Sequence, residues 1–278
     1  MTAVILATAC ALVYGTADFY GGLATRRSRV LSVVSLSQIA GLALVVAMMP
    51  LLPGALSEGA ITWGLGAGLA GAAGMVLFYR ALATGVMSVV APTTAVTSAA
   101  LPVLFGLASG ERPAVMALVG VVLALLSVLL VSRGGPAVEQ RSSASSVVAA
   151  LAAGAGFGGF FILLAQAPDG SGLWPLVGAR IASISAVVLM AVVSRRTLKP
   201  GSGALGVIAV AGVLDMAANV LYLLAEQQGM LSLVAVLVSL YPASTLVLAR
   251  YVLGERLHAV QVAGVAFALG AVALIAVA

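Results

Sequence analysis

Charge is what this sequence has least of. Only 8% of its 278 residues are Asp, Glu, Lys or Arg, against about a quarter in an ordinary soluble domain. So few charges cannot clothe a surface in water. There is one cysteine, Cys10, set in an apolar run, so neither an intrachain disulfide nor a thiolate metal site is expected. A single histidine, His258, cannot make a histidine cluster. No HExxH or CxxC motif, catalytic triad or ATP-binding module is found. No catalytic residues, cofactor or metal are therefore expected, and ATP-driven work within this chain is excluded. The first residues lack the basic head of a signal peptide, so the first apolar stretch reads as a retained span.

What the chain has instead is apolar bulk. Hydrophobic residues make up 63% of it and the mean hydropathy is +1.22. That composition belongs to a polytopic membrane protein. Glycine is frequent, at 32 residues, as suits helices that pack closely in lipid. The net charge of +5 need not mean nucleic acid, because basic residues in a membrane protein mostly report orientation. Ten hydrophobic segments stand out, over 3–24, 32–52, 60–82, 86–108, 114–132, 147–165, 173–193, 203–225, 230–251 and 259–277. Each approaches the ~20 residues that a helix needs to cross hydrocarbon. A β-barrel would show shorter, alternating segments. The expectation is an all-α polytopic protein with ten transmembrane helices. The weakest break is "ALATGVM", with only Gly85 as a turn signal.

The longest polar stretch, "SRGGPAVEQRSSASS" at 132–146, divides the chain near its middle. It suggests a first five-helix unit at 1–135, a linker at 136–146 and a second unit at 147–278. The tripeptide Gly-Glu-Arg occurs at Gly110, Glu111 and Arg112 and again, 144 residues later, at Gly254, Glu255 and Arg256. In the same register Gly85 falls on Gly229, Ser88 on Ser232 and Gly120 on Gly264. Matched glycines are cheap in such a chain; an ungapped register that includes a charged pair is not. An odd number of helices per unit inverts the second copy, the usual framework of secondary transporters. Each tripeptide precedes a span, so its Glu is expected to cap the start of the fifth or tenth helix. The Arg reaches headgroups or a neighbouring helix, and Gly permits a sharp connection. The two copies lie on opposite faces and cannot form one paired site.

"FYRALATGVMSVVAP" followed by "SGERPAVMALVG", and later "LYLLAEQQGMLSLVAVLVSLYPASTLVLARYVLGERLHAVQVAG", resemble the EamA-type permeases of the drug/metabolite transporter superfamily. The pattern that carries the resemblance is Tyr79, Ala81, Gly85, Ser88, Pro92, Pro102, Glu111 and Gly120 in one half, and Tyr222, Ala225, Gly229, Ser232, Pro242, Glu255 and Gly264 in the other. "YGTADFYGGLATRR" also looks like the first helix of some bacterial members. The resemblance covers nearly the whole chain and implies ten helices in two homologous inverted halves. It is silent on the substrate.

Eleven basic residues (Arg26, Arg27, Arg29, Arg80, Arg133, Arg141, Arg195, Arg196, Lys199, Arg250 and Arg256) fall on one side of the ten spans, and Arg112 alone on the other. The positive-inside rule then puts the first loop in the cytoplasm and both termini outside, in a cell membrane. Many members of the family are thought to have both termini inside, so the charge count and the resemblance disagree.

Ionisable residues inside a span usually face protein or a watery cavity. Asp215 sits mid-span, with Asn219 one turn on and Tyr222 nearly two, on one face. Two readings stand: a stripe lining a central cavity, or a buried network locking helices together. Arg180 lies a few residues inside the seventh span, and its match in the first half, after a two-residue gap, is Gln38. It either binds an anionic substrate, pairs with Asp215, or snorkels to headgroups. Asp18 shares a face with Tyr14 and either gates or binds protons, or pairs with an arginine at the interface. Arg80 and Glu226 end their helices and read as interface anchors. The fourth span offers Thr93, Thr94, Thr97 and Ser98 between Pro92 and Pro102, prolines that break backbone bonds and kink helices. Tyr14, Phe19, Tyr79, Phe157, Tyr222 and Tyr241 supply aromatic walls. "GAGFGGFF" at 154–161 reads as close helix packing rather than nucleotide binding.

The expected function is secondary transport of a small metabolite or drug by alternating access, with export the commoner activity of such families. Proton coupling through Asp215 or Asp18 is one option and facilitated diffusion another. A non-transporting membrane scaffold and, further off, an intramembrane enzyme are the alternatives. The expected partners are a small-molecule substrate and the lipid bilayer, not nucleic acid, with the chain a monomer or homodimer.

Overall fold

The computed structural model describes residues 1–84, 87–132, 144–195, 198–254 and 257–278. Most of the 136–146 linker, together with Gly85, Glu255 and Arg256, lies outside the described residues. So do the side chains of Tyr79 and Ser88.

All the described regular structure is α-helix: α1 Thr2–Thr25, α2 Val30–Met48, α3 Glu58–Thr84, α4 Met87–Ala108, α5 Val115–Val131, α6 Ala144–Ala165, α7 Trp174–Val193, α8 Leu205–Glu226, α9 Leu231–Val238, α10 Tyr241–Leu253 and α11 Ala259–Val277. The bounds follow the hydropathy closely, because an apolar segment in lipid must satisfy its own backbone groups. Among the described residues, nine stretches are long and apolar enough to cross a membrane, counting Leu231–Leu253 as one, and Val115–Val131 is a shorter apolar helix.

Proline acts differently in two places. The ninth segment breaks at Ser239–Leu240, and Pro242 opens α10, where its missing N–H is harmless. In the fourth segment, by contrast, Pro92 and Pro102 both lie inside one helix, α4. Its hydroxyls turn back on their own helix: Thr93 donates to the Val89 carbonyl at 2.7 Å, Thr97 to Thr93 at 2.8 Å and Ser98 to Ala95 at 2.9 Å.

The helices pack as crossed pairs. α1 lies on α8 and α3 on α6; α2 also lies on α8, and α3 on α7; α5 packs on α11. Small residues permit these approaches. A Cβ on Gly68 of α3 would come within 2.8 Å of the Ala179 Cα in α7, and one on Gly212 of α8 within 2.6 Å of the Ser37 Cα in α2. The outer faces are apolar: Ile5, Leu12, Leu104, Val122, Leu189 and Leu269 are all exposed. Polar groups such as Arg180, Asn219 and Ser127 are buried. This is the distribution that lipid, rather than water, demands.

Candidate functional site

A cavity of about 320 Å³ lies at the centre of the bundle. Its floor is glycine and its walls are aromatic. Gly68 and Gly71 of α3 line it, and Tyr14, Phe157, Phe160, Phe161 and Tyr241 surround it. Tyr14 bridges two of these walls, with its ring centroid 6.4 Å from that of Phe161 and 6.2 Å from that of Tyr241. Polar side chains enter from five helices: Asp18 from α1, Gln38 from α2, Ser98 from α4, Arg180 and Ser183 from α7, and Asp215 and Asn219 from α8.

Arg180 organises one end. One terminal nitrogen donates to the Gln38 side-chain oxygen and the other to a carboxylate oxygen of Asp215. Ser183, one turn along α7, donates to the same Gln38 oxygen at 3.2 Å. Asn219 donates from its amide nitrogen to the Asp215 backbone carbonyl at 2.8 Å. Of the three readings open for Arg180 in the sequence, the coordinates contain the pair with Asp215. The two partners are unequally placed: the arginine side chain is 9% exposed and the aspartate 40%. The guanidinium is behind the cavity wall and the carboxylate in front of it.

Asp18 faces the opposite wall and makes no hydrogen bond or ion pair among the described residues. A second cavity, of about 440 Å³, shares Asp18, Ser98, Phe157 and Tyr241 with the first. It runs past Thr245 and Ala249 of α10 to Val131 and Ser132, toward the face where α1, α5 and α10 end. The other face is plugged. Tyr222 is fully buried, donates to the Phe161 carbonyl at 2.9 Å, and holds its ring 4.7 Å from the Phe161 ring.

Of the residues singled out in the sequence, the central cavity gathers Tyr14, Asp18, Ser98, Phe157, Arg180, Asp215, Asn219 and Tyr241. Thr94 lines only the second cavity and donates to the Ala150 carbonyl at 3.1 Å. Thr97 and Tyr222 line neither; the Asp215–Asn219–Tyr222 stripe is polar lining for its first two members and packing for the third. Tyr79 is outside the described side chains. Phe160, Phe161, Met75 and Ser183 line the cavity without having been singled out. Ser183 carried a readable signal, lying three residues after Arg180 and so on its face. The two phenylalanines carried none, because α6 beyond Ser146 is apolar all round. Among the described residues no group of three His, Cys, Asp or Glu side chains gathers to hold a metal.

The Gly-Glu-Arg tripeptide requires a correction. Gly110 has φ +97° and Gly254 +69°, so both make the sharp turns that glycine allows. Glu111 does not cap the helix that follows it, however. α5 starts at an N-cap, Ala114, without a side-chain hydrogen bond. The two carboxylate oxygens accept from the backbone N–H groups of Leu231 at 2.7 Å and Ser232 at 3.0 Å, at the start of α9. The N-cap of α9, Met230, gives no side-chain hydrogen bond, and the α4–α5 turn carries the carboxylate to the first amides of the helix. Arg112 is exposed. At the start of α11 the Gln261 side-chain oxygen accepts from the His258 backbone N–H at 3.0 Å; the matching Glu255 lies outside the described residues.

Residues 144–277 match the EamA-like transporter family. No curated protein matches the chain. Twenty-five solved chains do. One of them, a crystal structure described only as that of a protein, has a TM-score of 0.80 at 16% identity and covers 99% of this chain and 98% of its own. That likeness is one of fold alone. With apolar helices long enough to cross a membrane and a second half, residues 144–277, that matches the EamA-like transporters, the chain is a multi-pass membrane protein similar to that family.

Proposed function

We propose that the chain is a secondary transporter of a small metabolite or drug that works by alternating access between two inverted five-helix repeats. The observation that carries this is the polar-lined central cavity, walled by helices from both halves. The packing supports the repeat, since its contacts come in mirrored pairs. α1 on α8 is mated by α6 on α3, α2 on α8 by α7 on α3, and α4 on α6 by α10 and α9 on α1. In this reading α9 and α10 form one bent span, α5 is the short fifth span, and the chain crosses the membrane ten times. A scaffold would have no use for a void that keeps a carboxylate unpaired at such depth.

The second cavity extends toward the arginine-rich face, while aromatic packing and the Glu111 contact close the other. With that face in the cytoplasm and the termini outside, the arrangement is an inward-facing state able to load cargo for export. Proton coupling would run through Asp18 or Asp215, because neutralising either changes the best partner for a bound ligand and so biases the two states.

The test uses sidedness. Cys10 is fully buried, so a Cys10→Ala, Ser98→Cys protein carries its only thiol in the cavity. Alternating access expects a membrane-impermeant thiol reagent to reach Ser98→Cys from either side of the membrane. Labelling from neither side, or from one side only under all conditions, refutes it. For coupling, Asp215→Asn and Asp18→Asn are compared across pH; transport whose pH dependence neither variant changes rejects both carboxylates.

A further inference from the structure

We infer that the cavity takes a small amphipathic organic cation, with its charged nitrogen held between Asp18, Asp215 and Asn219 and its apolar body against the aromatic walls. The inference deepens the transporter reading and rests on it for the fate of the ligand, though not for its chemistry.

The argument starts from which groups are already used. The acidic and basic side chains lining the central cavity are Asp18, Arg180 and Asp215. Arg180 is 7% exposed, and both its terminal nitrogens are engaged, by Gln38 and by Asp215. Its charge is already matched by Asp215. Asp215 gives one oxygen to that pair and keeps a side chain 40% exposed. Asp18 is exposed to the void and unpaired among the described residues. With Asp215 matched by Arg180, Asp18 is the acidic group of the lining that has no partner among the described residues.

Asn219 supplies an independent observation. It is 3% exposed, and its side-chain oxygen is buried without a hydrogen-bond partner. The amide nitrogen is committed to the Asp215 carbonyl at 2.8 Å, so the oxygen is the end left over. A buried acceptor in that condition needs a donor. Besides neutral donors such as the Gln38 amide and the Tyr14 and Tyr241 hydroxyls, the site keeps one carboxylate, part of a second and one buried amide oxygen as acceptors. A ligand that completes this set brings positive charge and N–H groups. The five aromatic rings favour the same choice, since their faces attract cations and their area takes up an apolar body. A cavity of about 320 Å³ is of the size that takes small ligands. An anion would meet two carboxylates. A zwitterionic amino acid would need a cation for its own carboxylate, and the one present is already paired.

The experiment uses the full-length protein in lipid nanodiscs and four probes of one shape: 2-phenylethylammonium, neutral 3-phenylpropanamide, anionic 3-phenylpropanoate and zwitterionic phenylalanine. Binding is measured by calorimetric titration. The ammonium is expected to bind at least about tenfold more tightly than the amide, the worth of one charge-assisted contact, and the other two not measurably. Asp18→Asn should lose that preference and Asp18→Glu should keep it. A single elution peak and an unchanged melting temperature establish that each variant is folded. No ammonium binding, equal or tighter binding of the anion or zwitterion, or an Asp18→Asn protein that binds ammonium like the parent overturns the inference. The Ser98→Cys labelling separates the two ideas. Alternating labelling with anion binding keeps transport and removes the cation; cation binding with one-sided labelling does the reverse.

Discussion

Helices α3 and α8 both wall the cavity, and they contribute opposite things. α3 presents Gly68, Gly71, Ala72 and Met75, with no ionisable group between Glu58 and Arg80. α8 presents Asp215 and Asn219. Each helix lies across two others, α3 on α6 and α7 and α8 on α1 and α2. One makes room and the other supplies chemistry. The difference shows how a membrane bundle keeps a polar site without collapsing. A void requires missing side chains, and a charge requires a partner. Gathering both on one helix would leave that helix with neither packing nor pairing.

The strongest way to break the comparison is to remove the chemistry. Asp215→Ala leaves Arg180 buried without its counter-ion and should cost about 3–5 kcal/mol, read as a fall in unfolding free energy in detergent. Arg180→Gln added to it should recover most of that loss, because the stranded charge is gone. A loss that the second change leaves intact would mean that Asp215 matters for something other than the pair. Removing the room should cost less. A methyl on Gly68 presses into the backbone of Ala179, so Gly68→Ala should destabilise by about 1–3 kcal/mol, seen in the same assay. Gly71→Ala should do least. The nearest atom to its Cβ is on the Phe160 ring, at 3.4 Å. Stability should stay within about 0.5 kcal/mol, while ligand affinity falls as the cavity shrinks. Equal effects at Gly68 and Gly71 would erase the distinction between a packing glycine and a space-making one.

How much of this could be read in advance depended on whether the signal was local. Helix positions were legible because hydropathy is summed along the chain. Arg180, Asp215, Asp18 and Asn219 were legible because polar groups at that depth are rare. The match of Gln38 to Arg180 even hinted at the pair of residues that meet. The Thr94 and Thr97 hydroxyls showed the limit of that logic: each finds a backbone carbonyl and has no need of a cavity. Proline was ambiguous, since Pro242 opens a new helix while Pro92 and Pro102 sit inside one. The inward turn of Phe160 and Phe161 left no mark, because beyond Ser146 no polar residue on α6 labels its faces. Nor do backbone amides have any letter in the sequence, and so the true target of Glu111 was invisible.

That target ties the order of synthesis to the shape of the product. Leu231 lies 120 residues beyond Glu111. A ribosome completes the whole first half, the polar linker and three further helices before the amides of α9 exist. Until then the Glu111 carboxylate keeps its water, and the α4–α5 turn has nothing to fasten to. The seam between the α4–α5 turn and α9 is therefore joined late, by the arrival of the ninth span. A ribosome that stops short of Leu231 releases a bundle with that seam still open.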